Sequence, residues 1–460
     1  MNLFQIALKN MRQRRVASWL TMISVSLGVS LTIAVLVLHG VLAKQFSQTG
    51  SGYNLIIGPA GSEVQLVLAA VYRVENSRVN MPWRYYQKWK TDPRVELAIP
   101  ICFGDTTEQG GFPVIGTTQE YFLLPYARTP QPQLFRVAGK GKFLDGSWDA
   151  VIGSEVARRN GWAIGSQFQL VHGGQKGADA HIHKEKFTVK GVLKTTGTPN
   201  DRTVFTHIDG FFMLAGHENP LREAIHREAQ YFPDSEADLM KKYEKELENE
   251  RREAAALKLN PEHAAHAVPD LSKEVSAILI ATKGDPGDQL AQANNALSIQ
   301  SDLREENAAM GVNPVQVMER IMRVFVGNIQ LAFLCLTGLI VAVSGIGIFV
   351  SIYNSMNERR REIAIMRALG AQRRTVSLMI LCETLLLCLG GGVLGLLLGH
   401  GLVVVAAPIL EARSGLLIES WGYSPWELIV LPITLVLAAL SGLIPSITAY
   451  QTDVAETLAQ

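Results

Sequence analysis

The sequence predicts a membrane α-helical protein with four transmembrane helices and one large α+β domain inserted between the first and second of them. Three observations carry this reading. No Asp, Glu, Lys or Arg occurs between Arg15 and Lys44 or between Arg323 and Glu358, and each interval exceeds the ~20 residues a helix needs to cross the hydrocarbon layer. Two more apolar runs, 377–407 and 426–447, follow a short basic connector. The long interval 44–312 instead alternates short β-branched runs with Gly, Pro and Asp punctuation. Hydrophobic residues make up 48% of the 460-residue chain, but they concentrate near the N-terminus and after Val324, so the apolar character is regional.

Residues 1–16 carry Lys9, Arg12, Arg14 and Arg15 and no acid, which reads as a cytoplasmic segment ahead of a first span at 17–43. A cleaved signal peptide ending at Val41-Leu42-Ala43 is the competing reading. Its apolar core would be far longer than the usual ~7 to 15 residues, which favours an uncleaved anchor.

Within 44–312, Tyr53–Ile57, Phe168–Val171, Phe187–Leu193 and Val275–Ala281 read as strands, and Pro82–Lys90 and Ser154–Asn160 as helices. Residues 217–270 read as an insertion. Ser235 and Asp238 suggest a capping box, followed by a solvated, charge-alternating helix from Asp234 to Lys258. The histidine pairs His181/His183 and His263/His266 would form a metal site only if folding brought them together, and no metal site is expected. Cys102 is the one cysteine of this interval, so no disulfide can form within it.

Asn313 and Pro314 begin a helix, as N-cap and first-turn proline, that continues from a stalk into the second span over 313–355. The connector 356–376 follows. Asn357 is read as its cap, Ile363, Met366 and Leu369 as an apolar strip, and Gly370 as its terminator. Its six arginines, Arg359, Arg360, Arg361, Arg367, Arg373 and Arg374, place it on the cytoplasmic side. Gly391, Gly395 and Gly399 form a helix-packing face on the third span, which also holds an intramembrane acid, Glu383, expected to be paired. Residues 408–425 read as an outer loop and 448–460 as a cytoplasmic tail, which puts both termini inside.

The run RRREIAIMRALGA resembles the connector of the MacB-type and FtsX-like ABC transporter permeases. Arg359, Arg361, Glu362, Ile363, Ile365, Arg367, Ala368, Leu369, Gly370 and Ala371 match that pattern, and Ala364 stands where glycine is common. Weaker echoes come from AVIGSEVARRNGWAIGSQFQL (150–170) and TGTPNDRTVF (196–205) in the inserted domain. In the tail Gly442, Pro445, Ala449 and Leu458 match the family ending, while Asp453 replaces a usual proline. The resemblance implies that the connector is a coupling helix seated in a groove of a separate ABC ATPase. Arg359, Arg361, Glu362, Ile363, Ile365, Met366, Arg367, Leu369 and Gly370 would then make that contact. It also implies a homodimer in the plasma (inner) membrane, for which the glycine face of the third span is expected to be open. A membrane-surface helix binding anionic lipid is the alternative for the connector.

Several classes are excluded. The chain lacks GxxxxGK[ST], so ATP and Mg²⁺ would sit on the partner and no cofactor on this chain. Gly345-Ile346-Gly347 lies inside an apolar run and lacks a third glycine, and Ser154 has no nucleophile-elbow context, so enzymatic activity is not expected. The balance of 43 basic and 42 acidic residues gives no global field for nucleic acid. Two outputs fit: export or extraction of an amphipathic substrate, or mechanical regulation of an extracytoplasmic partner such as a cell-wall hydrolase. A periplasmic adaptor is a compatible further partner.

Overall fold

A computed structural model describes residues 3–46, 52–74, 79–127, 132–172, 181–214, 216–217, 219–232, 236–259, 268–284, 289–358, 360–414, 427 and 430–451. The chain divides into two compact units. One comprises Met1–Phe46, Ile321–Ser414 and Ile418–Gln460, and the other Ser47–Arg320 with Gly415–Leu417.

The first unit is helical: α1 (Leu3–Gln13), α2 (Arg15–Phe46), α3 (Gly327–Glu358), α4 (Arg360–Ala368), α5 (Arg373–Ser414) and α6 (Val430–Gln451). Among the described residues three stretches are long and apolar enough to cross a membrane, Arg15–Val37, Pro314–Asn354 and Arg373–Ile409, and α6 contains a shorter apolar stretch, Pro432–Leu443. Small and hydroxylated residues join these helices. Ser24 and Ser344 hydroxyls lie 3.0 Å apart between α2 and α3, and Ser441 donates to the Gly345 carbonyl at 3.3 Å between α6 and α3. Ser377 and Ser446 pair between α5 and α6. Such contacts matter in lipid, where apolar surfaces gain little by leaving one hydrocarbon for another. Leu27, Leu339, Ile346, Leu397 and Val405 leave more than half of their surface exposed, an apolar exterior that a water-soluble monomer would not carry.

Asn313 caps its helix as expected. Its Oδ1 accepts from the Val315 and Gln316 amides at 3.0 and 3.3 Å, and Pro314 occupies the first turn. The helix then widens into a π-helical turn at Met322–Val326 before α3, a feature that the apolar pattern does not encode. Two boundaries differ from expectation. Helix α5 passes through Pro408 to Ser414 where an outer loop was expected from 408; an interior proline costs a backbone hydrogen bond, but membrane helices tolerate it where neighbouring groups satisfy the freed carbonyl. Asn357 belongs to the last turn of α3 rather than to a new cap. The remaining loop, 415–426, and the tail from 452 lie outside the described residues.

The second unit is built on an eleven-stranded sheet: β1 (Leu55–Pro59), β2 (Val95–Thr107), β3 (Pro113–Thr117), β4 (Asp149–Ile152), β5 (Gln167–Phe168), β6 (Leu170–His172), β7 (His181–Ile182), β8 (Phe187–Val192), β9 (Val204–His207), β10 (Ala277–Thr282) and β11 (Ala309–Val312). The order is β11-β1-β10-β2-β3-β9-β4-β8-β5, with β6 beside β2 and β7 beside β6. Pairing is antiparallel except for β3–β9 and β4–β8. Strands β1 and β10 are buried along their whole length, which is why LIIGP and AILIAT read as continuous apolar runs. Strand β2 is long enough to serve both halves, pairing with β10 through Ile101 and with β3 and β6 beyond it.

The two sequence echoes of the inserted domain meet in space. An added Cβ at Gly153 would lie 2.2 Å from the Asp201 carbonyl oxygen, so only glycine lets the strand end approach the 196–205 loop. Asp201 is buried and closes that loop, accepting from the amides of Thr196 at 2.8 Å and Gly197 at 2.8 Å. Both motifs are therefore backbone fittings. Cys102 is free and buried, and burial pushes its thiol pKa up, which keeps it inert. Among its described residues the 217–270 insertion holds three helices, Leu221–Tyr231, Glu236–Lys242 and Glu244–Leu259, the last two in place of the one expected over 234–258, with a small core of Leu221, Ile225 and Leu239. Arg84 binds Glu228 of the first at 2.9 Å. Ser235, His263 and His266 lie outside the described residues.

Candidate functional site

Helix α4 is set between the two long apolar helices α3 and α5, and its ending is well defined. Gly370 sits at φ +98°, its amide donates to the Arg367 carbonyl at 3.0 Å, and the Ala371 amide donates to the Met366 carbonyl at 3.0 Å. These are the two bonds of a Schellman motif, which needs a residue free to adopt positive φ. Ile363 and Ala364 are buried, and Met366 packs with Ile363 in the cluster that holds Ile352, Met356 and Val376. Burial at 364 accounts for a small residue there. By contrast Ile365 is 46% exposed and Leu369 84% exposed.

This divides the apolar strip expected from the sequence. At about 100° per residue, Ile363 and Leu369 point about 120° apart, whereas Ile365 and Leu369, one turn apart, point within about 40°. Ile363 and Met366 thus pack inward against their own chain, and Ile365 and Leu369 form the outward apolar pair. Arg367 is half-buried, and Arg373 and Arg374 are exposed. Arg359 lies outside the described residues, as do the side chains of Arg360, Arg361 and Glu362.

The glycine face of α5 is filled within the chain. An added Cβ would meet Val25 Cβ at 2.8 Å from Gly391, Val29 Cβ at 2.6 Å from Gly395 and Ile33 Cβ at 2.7 Å from Gly399. The carbonyls of Met22, Ser26 and Ser30 lie 2.9, 2.7 and 3.0 Å from the same positions. Helix α2 therefore rests on the stripe, which corrects the expectation that this face is open for a second copy. Glu383 is half-buried on the same helix.

Sequence reasoning missed a second constellation. Asp105 on β2, His172 on β6, His183 just after β7 and His217 after the helix Ile208–Phe212 converge, with one ligand-type atom from each within 4.8 Å of all the others. The pairing of Thr106 with Val171 sets Asp105 and His172 side by side, and the pairing of His172 with His181 brings in the next strand. The only sequence signal was the spacing of His181 and His183, which does not reveal the other members.

Comparison with known proteins agrees with this architecture. A MacB-like periplasmic core domain model matches residues 18–298, and an FtsX-like permease C-terminal model matches residues 334–454. An uncharacterized ABC transporter permease, MJ1507, of Methanocaldococcus jannaschii is 32% identical over 118 residues, 25% of this chain and 29% of that one. The ABC transporter permease YtrF of Bacillus subtilis is 30% identical over 158 residues, 32% of this chain and 34% of its own length. The macrolide export ATP-binding/permease protein MacB of Rhodopirellula baltica is 31% identical over 96 residues, 21% of this chain and 14% of that protein. The matched segments thus span about a third or less of these relatives. With the two family models covering the α+β unit and the helical unit in turn, the chain belongs to the MacB-like, FtsX-like family of ABC transporter permeases.

Proposed function

We propose that the chain is the permease subunit of an ABC transporter, with α4 the coupling helix for a separate ABC ATPase. ATP hydrolysis on that partner would move the α+β domain and drive export or extraction of an amphipathic substrate. The observation that carries this reading is the exposed pair Ile365 and Leu369, held at the end of a short helix by the Gly370 motif in a family member that has no phosphate loop in its sequence. A lipid-binding helix needs basic charge but gains nothing from a rigid, glycine-terminated end.

In this reading α2, α3, α5 and α6 are four spans of the plasma membrane. The basic residues around α4 and in the N-terminal segment lie inside, and 44–312 lies outside. The chain works as a homodimer, as the family resemblance implies, and its seam lies away from the glycine stripe because α2 already fills that face.

The test is copurification with the ATPase, together with stimulation of its hydrolysis rate, for Leu369→Asp and Glu362→Ala. Losing a buried leucine contact removes roughly 1.5–3 kcal/mol, so Leu369→Asp should weaken the complex about tenfold or more while membrane insertion stays intact. Truncating a desolvated charge pair typically costs about 2–5 kcal/mol, which sets the expectation for Glu362→Ala. Unchanged copurification and coupling in both variants would sink the coupling-helix reading.

A further inference from the structure

The structure assigns a binding site for a divalent transition cation of the zinc class to Asp105, His172, His183 and His217, in the α+β unit and remote in sequence from α4.

The geometry is that of converging lone pairs. His172 Nδ1 lies 3.0 Å from Asp105 Oδ1, and His183 Nε2 and His217 Nε2 lie 3.4 and 3.1 Å from Oδ2. Bonds of about 2.0–2.1 Å to a tetrahedral ion place neighbouring donors about 3.3–3.4 Å apart, close to these three distances, and since all four donors lie within 4.8 Å of one another the rings would draw in by up to about 1.4 Å at the widest pair. Burial adds an independent argument. The His183 and His217 side chains are 0% and 5% exposed, and that of Asp105 is 1% exposed. Yet both ring nitrogens of His183, both of His217 and Oδ2 of Asp105 make no hydrogen bond of acceptable direction. Buried polar atoms that approach one another without pairing demand an explanation, and an ion between them supplies one.

The donor set narrows the ion. Imidazole with a single carboxylate suits Zn²⁺ and its first-row neighbours, whereas Mg²⁺ and Ca²⁺ take oxygen-rich shells. No cysteine belongs to the cluster, which argues against a soft monovalent ion. His172 is 45% exposed and marks the solvent side, where the ion would enter. His181 is exposed there too, its ring 4.9 Å from that of His183. Phe211, with its ring 4.5 Å from that of His217, forms an apolar wall. A bound ion would tie β2, the paired strands β6 and β7 and the segment after the 208–212 helix to one point.

The competing account is an ion-pair cluster in which protonated histidines surround Asp105 and no metal binds. The experiment uses the full chain purified in detergent, stripped with a chelator and dialysed against Zn²⁺ or Mg²⁺. Expected results are one zinc per chain by elemental analysis, a rise in the thermal transition with Zn²⁺ but not Mg²⁺, and visible bands of four-coordinate intensity when Co²⁺ replaces zinc. Asp105→Asn and His172→Ala should each weaken Zn²⁺ binding by more than about tenfold, since even outer-shell partners cost 10–100-fold. His172 stands at the exposed edge, so its replacement tests binding without emptying the core, and His181→Ala should retain one zinc. Absence of stoichiometric zinc, Co²⁺ bands of six-coordinate weakness, or unchanged affinity in both variants would overturn the assignment in favour of the ion-pair cluster.

Discussion

Replacing Gly395 by alanine adds one methyl group at the tightest point between α2 and α5, and the structure sets the size of the effect. The new Cβ would stand 2.6 Å from Val29 Cβ and 2.7 Å from the Ser26 carbonyl oxygen. Ordinary carbon contacts lie at about 3.5–4.0 Å, so the shortfall is about 1 Å. Neither obstacle can rotate aside, because one is a branch carbon and the other is backbone. Helix α2 must move, which would also loosen the contacts at Gly391 and Gly399. Overpacking of this kind costs about 1–3 kcal/mol, against which alanine recovers up to ~1 kcal/mol of helix propensity. Gly401→Ala isolates the second effect, since nothing lies within 4 Å of its added Cβ. The two variants should therefore differ by about 1–3 kcal/mol, or roughly 2–12 °C in thermal transition for a unit of this size. The assay is thermal unfolding of both purified proteins in detergent. A Gly395→Ala protein as stable as Gly401→Ala would refute the packing argument.

Two further outcomes follow from local geometry. Gly370→Ala should lower ATPase coupling without altering membrane insertion, because φ +98° strains an L-residue by about 1–2 kcal/mol, and Gly370→Asn should fall between them; equal coupling in all three forms would argue against the rigid helix end. Arg94 donates to Asp92 at 2.8 Å and also pairs with Asp302 at 2.7 Å, and its hydrogen bonds hold the Asp92 carboxyl below the usual range. A depressed folded-state pKa adds stability above the unfolded value of about 3.9 that is lost as pH falls through the folded one. Thermal scans of the chain from neutral to acid pH should show this loss below about pH 4, and Arg94→Met should flatten it; an unchanged acid profile in that variant would disprove the linkage.

What could be read from the sequence was local, and what could not was the identity of the partner. Asn313 with Pro314, the terminator Gly370 and the helix Ser154–Asn160 each depend on residues within one turn, and each stands where the sequence puts it. The glycine stripe at 391, 395 and 399 was legible as a face, since a spacing of four fixes direction. Spacing cannot say what fills the face, and α2 lies far upstream, so an intramolecular contact looked like an open surface. In the connector, residues three apart drift by about 60° per step, enough to turn Leu369 away from Ile363 by the second step. The exposed pair is therefore related by four, and a strip drawn at threes merges two faces.

The histidine cluster shows the same limit from the side of chemistry. His181 and His183 carry the visible spacing, but the donors that the fold brings to His183 are Asp105, His172 and His217, none of which that spacing points to. The delivery depends on register. Thr106 opposite Val171 puts Asp105 beside His172, and His172 opposite His181 puts the third strand alongside. A slip of one residue in either pairing would turn these side chains to the other face of the sheet. Because the site exists only in the native register, the Asp105→Asn and His172→Ala measurements also report on sheet pairing. If either protein keeps its thermal transition without zinc but loses the rise that zinc produces, the defect lies in the donor set and not in the fold.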